Sequence, residues 1–236
     1  MIVITNLVKH YGKIVALNNI SMTFENAMVT AIMGENGAGK STLLKICAGI
    51  LPMGKGEIVV DGFSITSDSI QARERIGYLP EMPMMYDRLT GKEFLFYIAS
   101  LRNLAGAEKQ IPHLSHLLGI DRFLDYEIGT YSKGMKQKLS IITAIMHEPA
   151  NLLLDEPVWG LDPLTSRALR EFIMERNGTT ILATHSPRFV EEVADVVYIL
   201  NQGRIIAFGD VNMLMKQYGS IEEAYFHAKD GISPYV

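Results

Sequence analysis

One stretch limits the fold of this chain more than any other. Residues 34–42 read Gly34-Glu35-Asn36-Gly37-Ala38-Gly39-Lys40-Ser41-Thr42, which fits G-x-x-x-x-G-K-[ST]. That pattern carries meaning only between a strand and a helix. The apolar run Val29–Met33 precedes it and the helix-like Thr42–Ala48 follows. Glycines let the backbone turn until several N–H groups face one point. The N-terminus of the following helix adds a partial positive charge of about half a unit. A loop so built binds phosphate. Lys40 can reach the β and γ phosphates of a nucleotide, and Ser41 can place its hydroxyl on Mg²⁺.

The rest of the chain supplies the sheet that such a loop needs. Ile2–Val8, Val15–Leu17, Ser21–Phe24, Val29–Met33 and Gly56–Val60 predict strands. Ile76–Leu79 predicts another, after a charged turn at Arg73-Glu74-Arg75. Lys92–Asn103, Leu114–Leu118 and Met135–His147 have helical character. From Asn151, the strands Leu152–Leu154, Thr180–Ala183 and Val196–Leu200 alternate with the helices Leu164–Arg176 and Arg188–Ala194. A hairpin turns at Asn201-Gln202-Gly203 into Arg204–Phe208, and short surface helices follow from Asn212. This alternation predicts an α/β fold around a mostly parallel sheet.

Composition removes several classes of function. Lys and Arg number 22 against 26 Asp and Glu, for a net charge of −4. No basic stripe emerges, so no nucleic-acid partner is expected. The lone Cys47 rules out a disulfide framework. No apolar run approaches the ~18 residues needed to cross a bilayer, so the chain is expected to be soluble by itself.

Chemistry gathers downstream. Asn151-Leu152-Leu153-Leu154-Asp155-Glu156-Pro157 is an apolar strand ending in two carboxylates. Ligands of parallel α/β sheets collect at the carboxyl ends of strands. Asp155 there can hold Mg²⁺, and Glu156, pointing the other way along the pleat, can take a proton from water. The plain alternative is that these acids cap the next helix. Ser132 and Gly134 open a helix and turn donors outward at its positive end.

Two further segments separate the possibilities. Tyr131-Ser132-Lys133-Gly134-Met135-Lys136-Gln137 lies upstream of Asp155, and Thr184-His185-Ser186 follows an apolar strand downstream. With the phosphate loop and the acidic pair, they resemble the ATP-binding cassette family in order and spacing over roughly residues 1–220. Ser132, Lys133, Gly134 and Met135 are similar to the start of its signature motif. Gly160-Leu161-Asp162 is similar to its D-loop, and His185 to its switch histidine. Tyr11 resembles its adenine-stacking aromatic. Ile76-Gly77-Tyr78-Leu79-Pro80-Glu81 resembles a loop that normally ends in Gln.

The resemblance implies a P-loop NTPase core spanning 1–236, with an N-terminal antiparallel β subdomain. A helical subdomain over about 88–148 and a short helical tail at 211–236 complete it. It also implies an ATPase that uses ATP and Mg²⁺. Glu156 and His185 would serve catalysis, and Ser41, Asp155 and Glu81 the metal. Two cassettes would sandwich ATP, each signature completing the other's site. A separate polytopic transmembrane subunit would hold the cassette at the inner face of the cell membrane. Glu81 in place of Gln points towards exporters. A soluble cassette ATPase acting on ribosomes or DNA is the alternative; such relatives usually carry two cassettes or a long insertion. A small-molecule kinase would leave Ser132–Gln137 and His185 unexplained. Lys133 and Trp159 also depart from the family pattern, and both are expected to need only surface or interface room. Met82, Pro83, Met84, Met85 and Tyr86 suit either a partner contact or packing under the next helix.

Overall fold

A computed structural model describes residues 1–231. The chain builds two sheets. Strands β1 (Ile2–Tyr11), β2 (Ile14–Phe24), β4 (Lys55–Val60) and β5 (Phe63–Ser64) form an antiparallel sheet in the order β2-β1-β4-β5. The second sheet has the order β10-β9-β3-β8-β7-β6. Its strands are β3 (Val29–Met33), β6 (Ile76–Leu79), β7 (Asn151–Asp155), β8 (Thr179–Thr184), β9 (Val196–Asn201) and β10 (Arg204–Asp210). All its pairings are parallel except the β9–β10 hairpin. The expected α/β architecture, with its antiparallel N-terminal sheet, is therefore present.

The helices are α1 (Lys40–Cys47), α2 (Ser69–Glu74), α3 (Gly91–Leu101), α4 (Ala107–Leu117), α5 (Lys133–Ile145), α6 (Pro163–Glu175), α7 (Pro187–Val193), α8 (Val211–Tyr218) and α9 (Ile221–Lys229). α3, α4 and α5 all fall between β6 and β7.

Every residue of β3, β7 and β8 is buried, which is why these strands read as unbroken runs rather than alternations. The pleat sends neighbours to opposite faces. Ala31 and Met33 join the core under α3–α9, while Ile32 joins the core between the two sheets. Leu152 and Leu154 separate from Leu153 in the same way. α1 is the filling between the sheets, burying Leu43, Leu44, Ile46 and Cys47. Each such fully buried side chain contributes about 1.5–3 kcal/mol, so the helix behind the phosphate loop is clamped on both sides.

Several expectations need correction. Val15–Leu17 and Ser21–Phe24 are one strand, β2, because β1 pairs with it throughout, with register shifts rather than a break. Arg73-Glu74-Arg75 is not simply a turn; Arg73 and Glu74 end α2, and Arg75 caps it. Leu114–Leu118 is the end of a longer helix, α4, which tolerates Pro112 inside it. The tail helices are not superficial, since Leu214, Ile221 and Ala224 are fully buried. Residues 232–236 of the expected tail lie outside the described residues.

Candidate functional site

The parallel order brings four strand ends to one edge. β3 delivers residues 34–39, β7 delivers Asp155, β8 delivers Thr184 and His185, and β6 runs into Pro80 and Glu81. The phosphate loop is closely housed. Gly37 and Gly39 have φ of 83° and 109°, a region that favours glycine. A Cβ at Gly39 would also lie 2.6 Å from the Ala16 carbonyl oxygen of β2. Lys40 is buried and its Nζ donates to the Gly34 and Glu35 carbonyl oxygens at 2.7 and 3.1 Å. Burial lowers its pKa, against the raising influence of Glu156, Asp155 and Glu81.

Ser41 Oγ donates to Asp155 Oδ1 at 3.0 Å. Asp155 is fully buried, and its Oδ2 has no hydrogen-bond partner. Desolvation raises its pKa to about 6, opposed by the Ser41 hydrogen bond and helped by Glu81 and Glu156. A buried, unsatisfied carboxylate oxygen is costly. Beside a hydroxyl it forms a hard-oxygen pair of the kind that Mg²⁺ takes, so these residues fit that ion. Among the described residues no three His, Cys, Asp or Glu side chains converge to hold a metal by themselves. Glu81 is exposed and acts on Asp155 through charge alone, with no hydrogen bond to it.

Glu156 differs from the expected picture. It does not point along the pleat of β7; its backbone turns left-handed, with φ 48°. Its N–H donates to the Ala183 carbonyl at 2.9 Å. The turn carries its carboxylate to the end of β8. Oε1 lies 2.7 Å from His185 Nδ1, and Oε2 accepts from Thr184 Oγ1 at 3.0 Å. In sequence Thr184 reads only as the residue between the expected strand Thr180–Ala183 and His185; the structure makes it the end of β8, where it fixes one of the two carboxylate oxygens. Tyr11 is exposed at the end of β1, on the hairpin whose second strand passes against Gly39.

The segment at 132–135 forms a second cluster. Ser132 caps α5, its Oγ accepting from the Met135 N–H at 3.2 Å. A Cβ at Gly134 would come within 2.7 Å of the Gly160 carbonyl oxygen, so glycine is required by the loop packed behind it. Two of the three departures from the family pattern meet there: Lys133 Nζ lies 5.6 Å from the centroid of the exposed Trp159 ring, a cation–π contact. Asp162 caps α6 by accepting from Thr165 N–H at 2.9 Å, and pairs with Lys138 at 2.9 Å. These bonds hold its carboxyl far below the usual range. Of the 82–86 segment, Met82, Met84 and Tyr86 are exposed, whereas Met85 packs against the core.

A family model described as ABC transporter matches residues 17–159. The chain belongs to the ABC transporter ATP-binding family. It is 37% identical over 216 residues to the ABC transporter ATP-binding protein NatA of Bacillus subtilis (strain 168), covering 89% of this chain and 88% of that one. It is 32% identical to the bacitracin transport ATP-binding protein BcrA of Enterococcus faecalis, covering 96% and 74%. A solved ATP-binding subunit of an ABC transporter superposes with TM-score 0.90 at 31% identity, over 97% of this chain and 99% of that chain. A dimeric cassette bound to ADP and Pi superposes with TM-score 0.80 at 22% identity, over 89% and 98%, and so shares the fold. The cassette is thus an ATP-binding ATPase of this family. Among the described residues no helix is long and apolar enough to cross a membrane.

Proposed function

We propose that this cassette hydrolyses Mg-ATP to power an exporter, working as one of two cassettes beneath a separate polytopic membrane subunit. One observation carries the reading. Ser41 with the unsatisfied Asp155 oxygen, and Glu156 with His185, stand at the same edge of one sheet as the phosphate loop. Ser41 and Asp155 would hold Mg²⁺, with Glu81 adding charge nearby. The ion would neutralise charge on the phosphates. Lys40 and the N–H groups of 34–42 would hold the phosphates in place. Glu156 accepts the proton of the attacking water, and His185 steadies that carboxylate through Oε1. Tyr11 would stack on the adenine.

The exporter reading draws on relatives whose descriptions name bacitracin transport and linearmycin resistance. Pairing draws on solved cassettes described as dimeric. In such a pair, with a second copy or with a different cassette, Ser132, Lys133, Gly134 and Met135, backed by Gly160-Leu161-Asp162, would meet the γ-phosphate held by the other cassette. Residues 88–148 would be the helical subdomain that faces the membrane subunit, leaving the cassette peripheral on the inner face of the cell membrane. Purification in mild detergent tests this. It should recover a polytopic membrane protein and a Mg²⁺-dependent release of phosphate from ATP; recovery of ribosomes or of a phosphorylated small-molecule acceptor would overturn it.

A further inference from the structure

The tail helix α9 reaches the nucleotide loop. Lys229 Nζ forms an ion pair with Glu35 Oε1 at 2.6 Å, joining residues 194 positions apart. Glu35 is the second residue of the phosphate loop. The same helix is anchored at its other end, where the Ile221 N–H donates to Glu191 Oε1 of α7 at 2.8 Å. α7 begins two residues after His185. Tyr225 and Phe226 of α9 form one wall of a cleft of ≈ 350 Å³ whose other walls include Glu35, Asn36 and His185. Lys229 also lies 5.9 Å from the centroid of the Tyr225 ring, which is buried and so limits where the amine can go.

A carboxylate inside a phosphate-binding loop is an electrostatic liability. The loop works because its N–H groups and helix end present positive potential. An uncompensated charge at Glu35 opposes that potential. Among the described residues the only cation paired with Glu35 is Lys229, which comes from α9.

We propose that Lys229 is a positioning residue for the phosphate loop: by holding the Glu35 carboxylate against α9, it keeps that charge from opposing the triphosphate. This rests on the nucleotide reading above and adds a role for the tail. As an exposed ion pair the contact adds little to stability. Its value lies in where it places a negative charge.

The test is calorimetric titration of the full chain with Mg²⁺ and a non-hydrolysable ATP analogue. Lys229→Ala should weaken binding about two- to tenfold at low salt, the size expected for one uncompensated unit charge near the phosphates in a solvent-exposed setting. The loss should shrink at about 300 mM salt, where screening is stronger. Lys229→Arg should bind as the wild type does. In a Glu35→Gln background, Lys229→Ala should cost clearly less than in the wild type, leaving only the direct attraction of the ammonium for the phosphates. An equal loss in both backgrounds would mean that Lys229 acts through packing or through its own attraction for the phosphates rather than by holding Glu35, and no loss in either would mean that the pair is idle; both overturn the proposal. A wild-type chain that fails to bind the analogue would instead remove the nucleotide reading, and the proposal with it.

Discussion

Asp155→Asn should make the ligand-free protein more resistant to heat at neutral pH while removing Mg²⁺-dependent turnover. The carboxyl is fully buried, with one oxygen on Ser41 and the other unpartnered. Its pKa rises from 3.8 to about 6 in the fold. A raised folded pKa means that the native state favours the protonated form. The stability this brings is complete below the unfolded value and is lost as pH rises through the folded one. At about 1.4 kcal/mol per pH unit, the full loss is about 3 kcal/mol, of which about 2 kcal/mol falls between pH 4.5 and 7.5. Asparagine cannot ionise, so it escapes that loss. Its oxygen can still accept from Ser41, and its amide leaves an unpaired donor whose cost is the same at both pH values. The Tm of the variant relative to wild type should therefore rise by about 4–8 °C between pH 4.5 and 7.5, at about 2–4 °C per kcal/mol for a domain of this size. Scanning calorimetry in a chelator measures it. A difference that does not change with pH would refute the argument, because the ionisation of Asp155 would then not be what the fold opposes. Mg-ATP should reverse the order by stabilising only the wild type.

The remaining expectations concern the other strand ends and the two loops. Glu156→Gln should lower steady-state phosphate release by about 10²–10⁴-fold while ATP still binds, whereas Glu81→Gln, an exposed position felt only through charge, should change it by less than about tenfold. A larger loss at Glu81 would show that the proton acceptor is the other carboxylate. Gly134→Ala should lower the Tm, because its Cβ meets the Gly160 carbonyl at 2.7 Å; overpacking of this kind costs about 1–3 kcal/mol. Met84→Asp should leave the melting of the isolated chain unchanged, since Met84 is 91% exposed, but should weaken co-purification with a membrane subunit. Met85→Asp should destabilise the isolated chain, because Met85 packs on the core.

What the sequence determined by itself is whatever rests on local spacing. The phosphate loop, its strand and its helix are contiguous, so Gly34 to Thr42 announce themselves without tertiary help. The unbroken apolar runs ending in Asp155 and Thr184 likewise report strands buried on both faces. Tertiary structure alone decided how those strand ends meet. The left-handed backbone at Glu156 has no local signature, because only pairing with β8 holds it, and that turn is what puts the carboxylate on Thr184 and His185. Glycine at 134 reads in sequence as part of a motif, yet its reason is the Gly160 carbonyl packed behind it. Lys133 and Trp159, two isolated oddities along the chain, become one contact in space. Lys229 carried no sequence signal at all. Its role depends on α8 and α9 folding back under buried Leu214, Ile221 and Ala224, which brings a charge from the far end of the chain to the phosphate loop. Hydrophobic periodicity encodes which face of an element is buried but is silent about which element it is buried against, and long-range charge pairs are set by that second choice.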